Sequence, residues 1–351
     1  QTTSESLEQI EVSLALPGYI SVDWGRVLRW SRVMKRRRRK VEGQTAYYHL
    51  MSRTVNGEAL FGSREREVLR KMIWQVADFS GIRVVTYAVM NNHFHLLVEV
   101  PYVDSISDEE LVRRYQRLYP HPTPWQPMTV EVLKHHLQTR SLEGAELRKM
   151  ITRRMHDISW FMKTLKHRFS FWFNRSRERF GPLWSDRFKS VLVEGDQWAL
   201  RTVAAYIDLN PVRAGIVDDP KDYRYCGYGE AVAGSPMARK GLSILGRNLS
   251  GYRRTLFGIG SEESEGKSSI DRDAASQVLE REKGRLPLAT VLRCRVRYFS
   301  DGQILGSAAF VKNRLSQEAD PPVRTRRPHP MRGADWQGLA VGVGLRKGLF
   351  K

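Results

Sequence analysis

The chain has 351 residues, 41% of them hydrophobic and 10% aromatic, enough to bury one large core or two modest ones. Lysine and arginine total 58 against 38 acids, a formal charge of +20, and so large an excess points to a polyanionic partner, nucleic acid being the commonest. Cys226 and Cys294 stand far apart, which argues against a cysteine-built zinc site; no apolar run is long enough to span a bilayer, and the N-terminus lacks the order of a secretory signal, so a cytoplasmic protein is expected.

Residues 1–41 read as a basic flexible arm ending in Lys35, Arg36, Arg37, Arg38, Arg39 and Lys40, suited to tracking phosphates. A first strand is predicted over Thr45–Ser52 and a helix from Ser63, with Ser63 as cap and Val68, Leu69, Met72, Ile73 and Val76 at helical spacing. Second and third strands follow over Ile82–Val89 and His93–Val100, with Met90-Asn91-Asn92 as the turn. Residues 101–150, interrupted by prolines, read as an insertion with short helices. A helix over Ile158–Phe173, a fourth strand over Phe188–Val193 and a helix over Gln197–Leu209 ended by Pro211 complete a domain spanning 42–235. Gly- and Ser-rich residues 236–270 read as a linker. Residues 271–318 read as a small helical region, with helices at Asp271–Arg281, Leu288–Tyr298 and Gln303–Leu315; they fit a helix-turn-helix and an ordinary helical hairpin equally well. The Pro- and Arg-rich residues 319–351 read as a disordered basic tail.

Two constellations carry chemistry. On a strand, alternate side chains share a face, so His93 and His95 point together while Phe94 points away, and two adjacent imidazoles are half of a divalent-metal site. On a helix, Tyr206 and Asn210 share a face, Ile207 turns to the core and Asp208 lies elsewhere, with a structural reading. The Asn210 carbonyl is a hard ligand suited to Mg²⁺ or Mn²⁺. His49, on the first strand, can approach this site, with packing or hydrogen bonding as its expected role; the adjacent His135 and His136 diverge on a helix and read as surface residues.

The runs Tyr87–Val98 (YAVMNNHFHLLV) and Tyr206–Gly215 (YIDLNPVRAG) resemble the core of the single-tyrosine HUH transposases, most closely the REP-associated tyrosine transposases and their insertion-sequence relatives. Tyr48-His49 with Ser52-Arg53, Phe173–Arg175 and Gly181–Ser190 fit the same pattern, so the resemblance spans residues 42–230. It implies an α+β fold, a small antiparallel sheet with helices packed on it in the manner of an RNA-recognition motif, here with a helical C-terminal region added. It also implies His93, His95 and Asn210 as ligands of Mg²⁺ or Mn²⁺, and Tyr206 as the nucleophile that forms a 5′-phosphotyrosine. The implied partner is single-stranded DNA that forms hairpins, with a homodimer as one assembly and no membrane. Arg53, Arg175, Arg187, Lys189 and Arg213 join the basic arm as expected DNA contacts, among cations interleaved with Phe169, Phe171, Trp172 and Trp184. The rival readings are a domesticated HUH protein that binds hairpins as a regulator without efficient cleavage, and a repressor acting on duplex DNA through residues 271–318.

Overall fold

Runs rich in apolar and aromatic residues make β1 (Ala46–Arg53), β2 (Arg83–Val89) and β3 (His93–Val100) strands that bury both faces. They form the hydrogen-bonded core of the sheet, with β3 antiparallel to both β2 and β1. A computed structural model of the chain describes residues 38–123, 128–139, 141–246, 249–257, 288–293, 296–317 and 327–342. Of two compact units, Arg39–Lys351 holds every element named below; within the other, Gln1–Arg38, only Arg38 is described. Lys35, Arg36 and Arg37, and the helix expected over Asp271–Arg281, lie outside the described residues.

The first long helix, α1 (Ser63–Ser80), starts one residue earlier than the Ser63 cap predicts: Gly62 is the capping position, and Glu65 Oε2 accepts the Gly62 N–H at 2.9 Å. Gly81, at φ 64°, ends it in the left-handed region. The insertion folds as α2 (Asp108–Leu118), α3 (Val130–Gln138) and α4 (Leu142–Thr152), each opened by a Ser or Thr cap. α5 (Ile158–Ser176) packs beside α1. β4 (Lys189–Val193) pairs antiparallel with β1, and α6 (Gln197–Asp208) follows, capped by Asp196. Chain direction changes at Leu209, and the short α7 (Asn210–Arg213) begins at once, so Pro211 opens a new helical turn rather than a loop.

Beyond residue 235 the structure departs from the expected linker and tail. Residues 227–257 include three helices, α8 (Gly227–Val232), α9 (Pro236–Leu242) and α10 (Leu249–Phe257), the last two lying where Gly and Ser content predicts a linker. Then come α11 (Leu288–Arg293) and α12 (Tyr298–Asp301). β5 (Ile304–Ser307) occupies residues predicted as helix, followed by α13 (Ala308–Ser316). β6 (His329–Pro330) and β7 (Leu339–Gly342) lie within the expected disordered tail. A strand between α12 and α13 rules out the helix-turn-helix. The reason is burial: Ile304, Leu305, Leu339, Ala340 and Val341 are all buried, and their backbone groups complete a seven-stranded sheet ordered β2-β3-β1-β4-β5-β7-β6. Among the described residues, only the β4–β5 pairing is parallel. The fold is therefore α+β with a mostly antiparallel sheet covered by helices, and its C-terminal region contributes strands as well as helices.

Side-chain alternation divides the core between the two faces of the sheet. Leu50, Tyr48, Phe94, Leu96 and Val98 meet α1 and α5 on one face; Met51, Leu97, Val191 and Val193 meet α6 on the other. His49, His93 and His95 occupy the α6 face by the same alternation.

Candidate active site

The β1–β3 register sets Met51 opposite His95 and Arg53 opposite His93. The two histidines of β3 therefore stand together, their ring centroids 5.1 Å apart, on the face that α6 covers. α6 is buried almost all round, so Tyr206 is held between the sheet and the C-terminal segment and is only 3% exposed. Its ring lies edge-on to His95 and to His49, with centroids 6.2 Å away in each case. Phe299 of α12 stacks against it at 4.3 Å and 23°, and the Arg213 guanidinium lies over it at 4.1 Å.

Asn210 follows Tyr206 across the break between α6 and α7. Its Nδ2 donates to the carbonyls of Ile207 at 2.9 Å and Tyr206 at 3.3 Å, so Oδ1 is the atom it can offer a cation. His93, His95, Tyr206 and Asn210 all line one open cleft of about 640 Å³. Arg53, Arg187, Lys189 and Arg213 line it too, so four of the expected DNA contacts converge with the four expected chemical residues. Arg175 is elsewhere, exposed on α5, and Arg39 donates to Gln303 at 3.3 Å.

Arg213 is turned inward rather than outward. It donates to the Tyr206 carbonyl at 2.6 Å and the Leu292 carbonyl at 2.5 Å, so it braces the tyrosine's backbone as well as covering its ring. Lys189 pairs loosely with Asp301 at 3.6 Å.

Each histidine of the pair has a hydrogen-bond partner at its Nδ1. His93 Nδ1 lies 2.6 Å from Asn92 Oδ1, and Asn92 Nδ2 in turn donates to the Gly57 carbonyl at 2.7 Å. His95 Nδ1 lies 2.8 Å from Nε2 of the fully buried His49. Burial pulls the His49 pKa down from 6.5 to about 3, with the Phe299 backbone opposing and Arg213 adding to the shift, so His49 is neutral. Among the described residues, no cluster of three His, Cys, Asp or Glu side chains could hold a metal. The donor set is thus two imidazoles and one carboxamide, borderline and hard ligands that fit a divalent cation.

Sequence reasoning placed no role on Asn92 or Phe299. Asn92 stands in the turn and in the Tyr87–Val98 run without a role of its own, and Phe299 lies about ninety positions from the tyrosine it stacks on, with no motif to join them.

Residues 43–117 match the family model described as Transposase IS200 like. This stretch is similar to the IS200-like transposases. It runs from before β1 to the end of α2 and holds His93 and His95, while Tyr206 and Asn210 fall beyond it. Among solved structures, the chain is similar to one titled "Structure of the REP associates tyrosine transposase bound to a REP hairpin", at 15% identity and a TM-score of 0.34, over 58% of this chain and 89% of that one. No curated protein matches it significantly. Among the described residues, no helix is long and apolar enough to cross a membrane.

Proposed function

We propose that this protein is a divalent-metal-dependent endonuclease and strand transferase, acting on single-stranded DNA at or near hairpins through Tyr206. The observation that carries the reading is the convergence, in one basic cleft, of His93 and His95 from β3 with Tyr206 and Asn210 from the α6–α7 junction. A transposase-family match over the segment bearing both histidines supports it. A Mg²⁺ or Mn²⁺ ion held by His93, His95 and Asn210 would offset the charge that builds on the scissile phosphate.

The phenolic oxygen of Tyr206 attacks phosphorus. An O–P bond to the tyrosine forms and the P–O3′ bond breaks, leaving a 5′-phosphotyrosine and a 3′-hydroxyl. The proton that the phenol loses is balanced by the one the 3′ oxygen gains. Because the ester bond is conserved, a second 3′-hydroxyl can reverse the step and rejoin strands. Arg213 and Phe299 restrict the tyrosine ring on both sides, which limits the orientations from which it can attack. Arg53, Arg187 and Lys189, exposed at the cleft, bind the DNA backbone. Outside it, Phe171 and Arg175 share the exposed face of α5, four residues apart, and Phe180 is 95% exposed; such aromatics beside cations suit unpaired bases.

The test is a denaturing gel of the protein mixed with labelled hairpin-containing single strands and Mg²⁺ or Mn²⁺. A covalent protein–DNA adduct is expected, absent with EDTA and absent in Tyr206→Phe. Hairpin binding without an adduct across a varied pool would overturn the reading in favour of a regulatory hairpin-binding protein.

A further inference from the structure

We infer that His49 and Asn92 are positioning residues that hold His95 and His93 in the single tautomer able to bind a cation side by side. The inference rests on the metal reading above and adds the groups that make the two histidines competent.

A neutral imidazole carries one proton, on Nδ1 or on Nε2, and only the bare nitrogen can bind a metal. For His93 the surroundings decide. Asn92 uses its Nδ2 on the Gly57 carbonyl, so its Oδ1 faces His93 and accepts a hydrogen bond from Nδ1–H, leaving Nε2 unprotonated. His95 meets a second imidazole instead. Its Nδ1 is 2.8 Å from His49 Nε2, and the ring centroids lie 5.0 Å apart, so the two nitrogens share one proton. If His49 were the donor, His95 would accept at Nδ1 and carry its own proton on Nε2, blocking the cation. If His49 accepts, His95 Nε2 is bare. Ligation at the Nε2 atoms therefore requires His49 as acceptor, the role that a carboxylate or carbonyl plays behind most metal-binding histidines.

The placement follows from strand geometry. His49 and His95 sit on adjacent antiparallel strands and the same face, two residues out of direct register, since His95 is opposite Met51 and His49 opposite Leu97. Diagonal neighbours of that kind are within reach of long or aromatic side chains. His49 is completely buried, so water cannot substitute for it as the acceptor.

Three measurements test this. In the metal-free protein, ¹⁵N NMR of the imidazoles should show protonated Nδ1 and bare Nε2 for both His93 and His95; a protonated Nε2 on His95 would overturn the inference without any variant. By calorimetric titration, His49→Phe should bind Mn²⁺ about 10- to 100-fold more weakly than the unaltered chain. His49→Gln, whose side-chain oxygen can reach the position of Nε2, should restore binding to within a few-fold. Equal Mn²⁺ affinity in His49→Phe and the unaltered protein, both folded by circular dichroism, would overturn the inference while leaving the metal site standing. An unaltered protein that binds no Mn²⁺ would overturn the metal reading itself.

Discussion

Asp208 shows how a side chain on the Tyr206 helix is anchored without facing the site. At the end of the helix that carries Tyr206, it is fully buried and accepts hydrogen bonds from Thr86 Oγ1 at 2.8 Å, the Tyr228 N–H at 3.1 Å and the Tyr252 hydroxyl at 2.6 Å. Burial pushes its pKa up from 3.8 to about 6, against the opposing pull of Tyr252, the Tyr228 backbone and Thr86. The folded chain thus holds this proton more tightly than the unfolded chain does. The favourable contribution of the neutral acid is complete below pH 3.8 and is lost as pH rises through about 6, where the cost of a buried charge is fully present. In Asp208→Asn that slope should vanish. Thermal melts at pH about 4.5 and 7 should show the unaltered protein's advantage over the variant shrinking toward neutrality; a constant difference across that range would show that Asp208 does not titrate on unfolding. Its off-site position was legible from helical spacing, but its partners come from β2, α8 and α10, which no local pattern connects.

Among the elements, α12 has influence out of proportion to its four residues. Phe299 is fully buried between Tyr206, on which it stacks, and Trp336, whose ring is 6.0 Å away. Truncation to alanine would remove a large buried ring and leave a cavity beside Tyr206. Phe299→Ala should cost about 3–5 kcal/mol of stability, read as a shift of the urea midpoint without a change of slope. An unshifted midpoint would mean that α12 does not pack against α6 in solution. Sequence reading runs one helix over Leu288–Tyr298 on the rhythm of Leu288, Val291 and Leu292, whereas α12 begins only at Tyr298 and runs into residues read as a turn. The insertion is expected to hold short helices and does; Ser107, Thr129 and Ser141 cap them, local signals that the sequence reading did not use.

At the scale of the molecule, the C-terminal region is part of the sheet. The Leu192 N–H donates to the Gln303 carbonyl and the Glu194 N–H to the Leu305 carbonyl, each at 2.8 Å, while the Glu194 carboxylate takes the Ser307 hydroxyl at 3.0 Å. A chain ended at residue 287 would leave β4 as an exposed hydrophobic edge and uncover Tyr206. Such a fragment is expected to lose cooperative thermal unfolding by circular dichroism and to aggregate. A fragment that melts like the full chain would show instead that residues 288–342 are an independent addition.

Local periodicity and residue chemistry determined, from the sequence alone, the first four strands, the long helices and the pairing of His93 with His95 on one face. They also placed Tyr206 and Asn210 near one another, although the break at Leu209 makes this a property of a helix junction and not of one continuous helix. Those signals act over two to four residues, where backbone geometry dictates which side chains are neighbours. Tertiary structure alone decided the rest. The His49–His95 contact depends on strand register, the cover over Tyr206 depends on a distant phenylalanine, and β5 and β7, four residues each, are too short for alternation to declare them against a basic, glycine-rich background. They become strands because an open edge of β4 offers hydrogen-bond partners and a buried face, which is information the segments do not themselves contain.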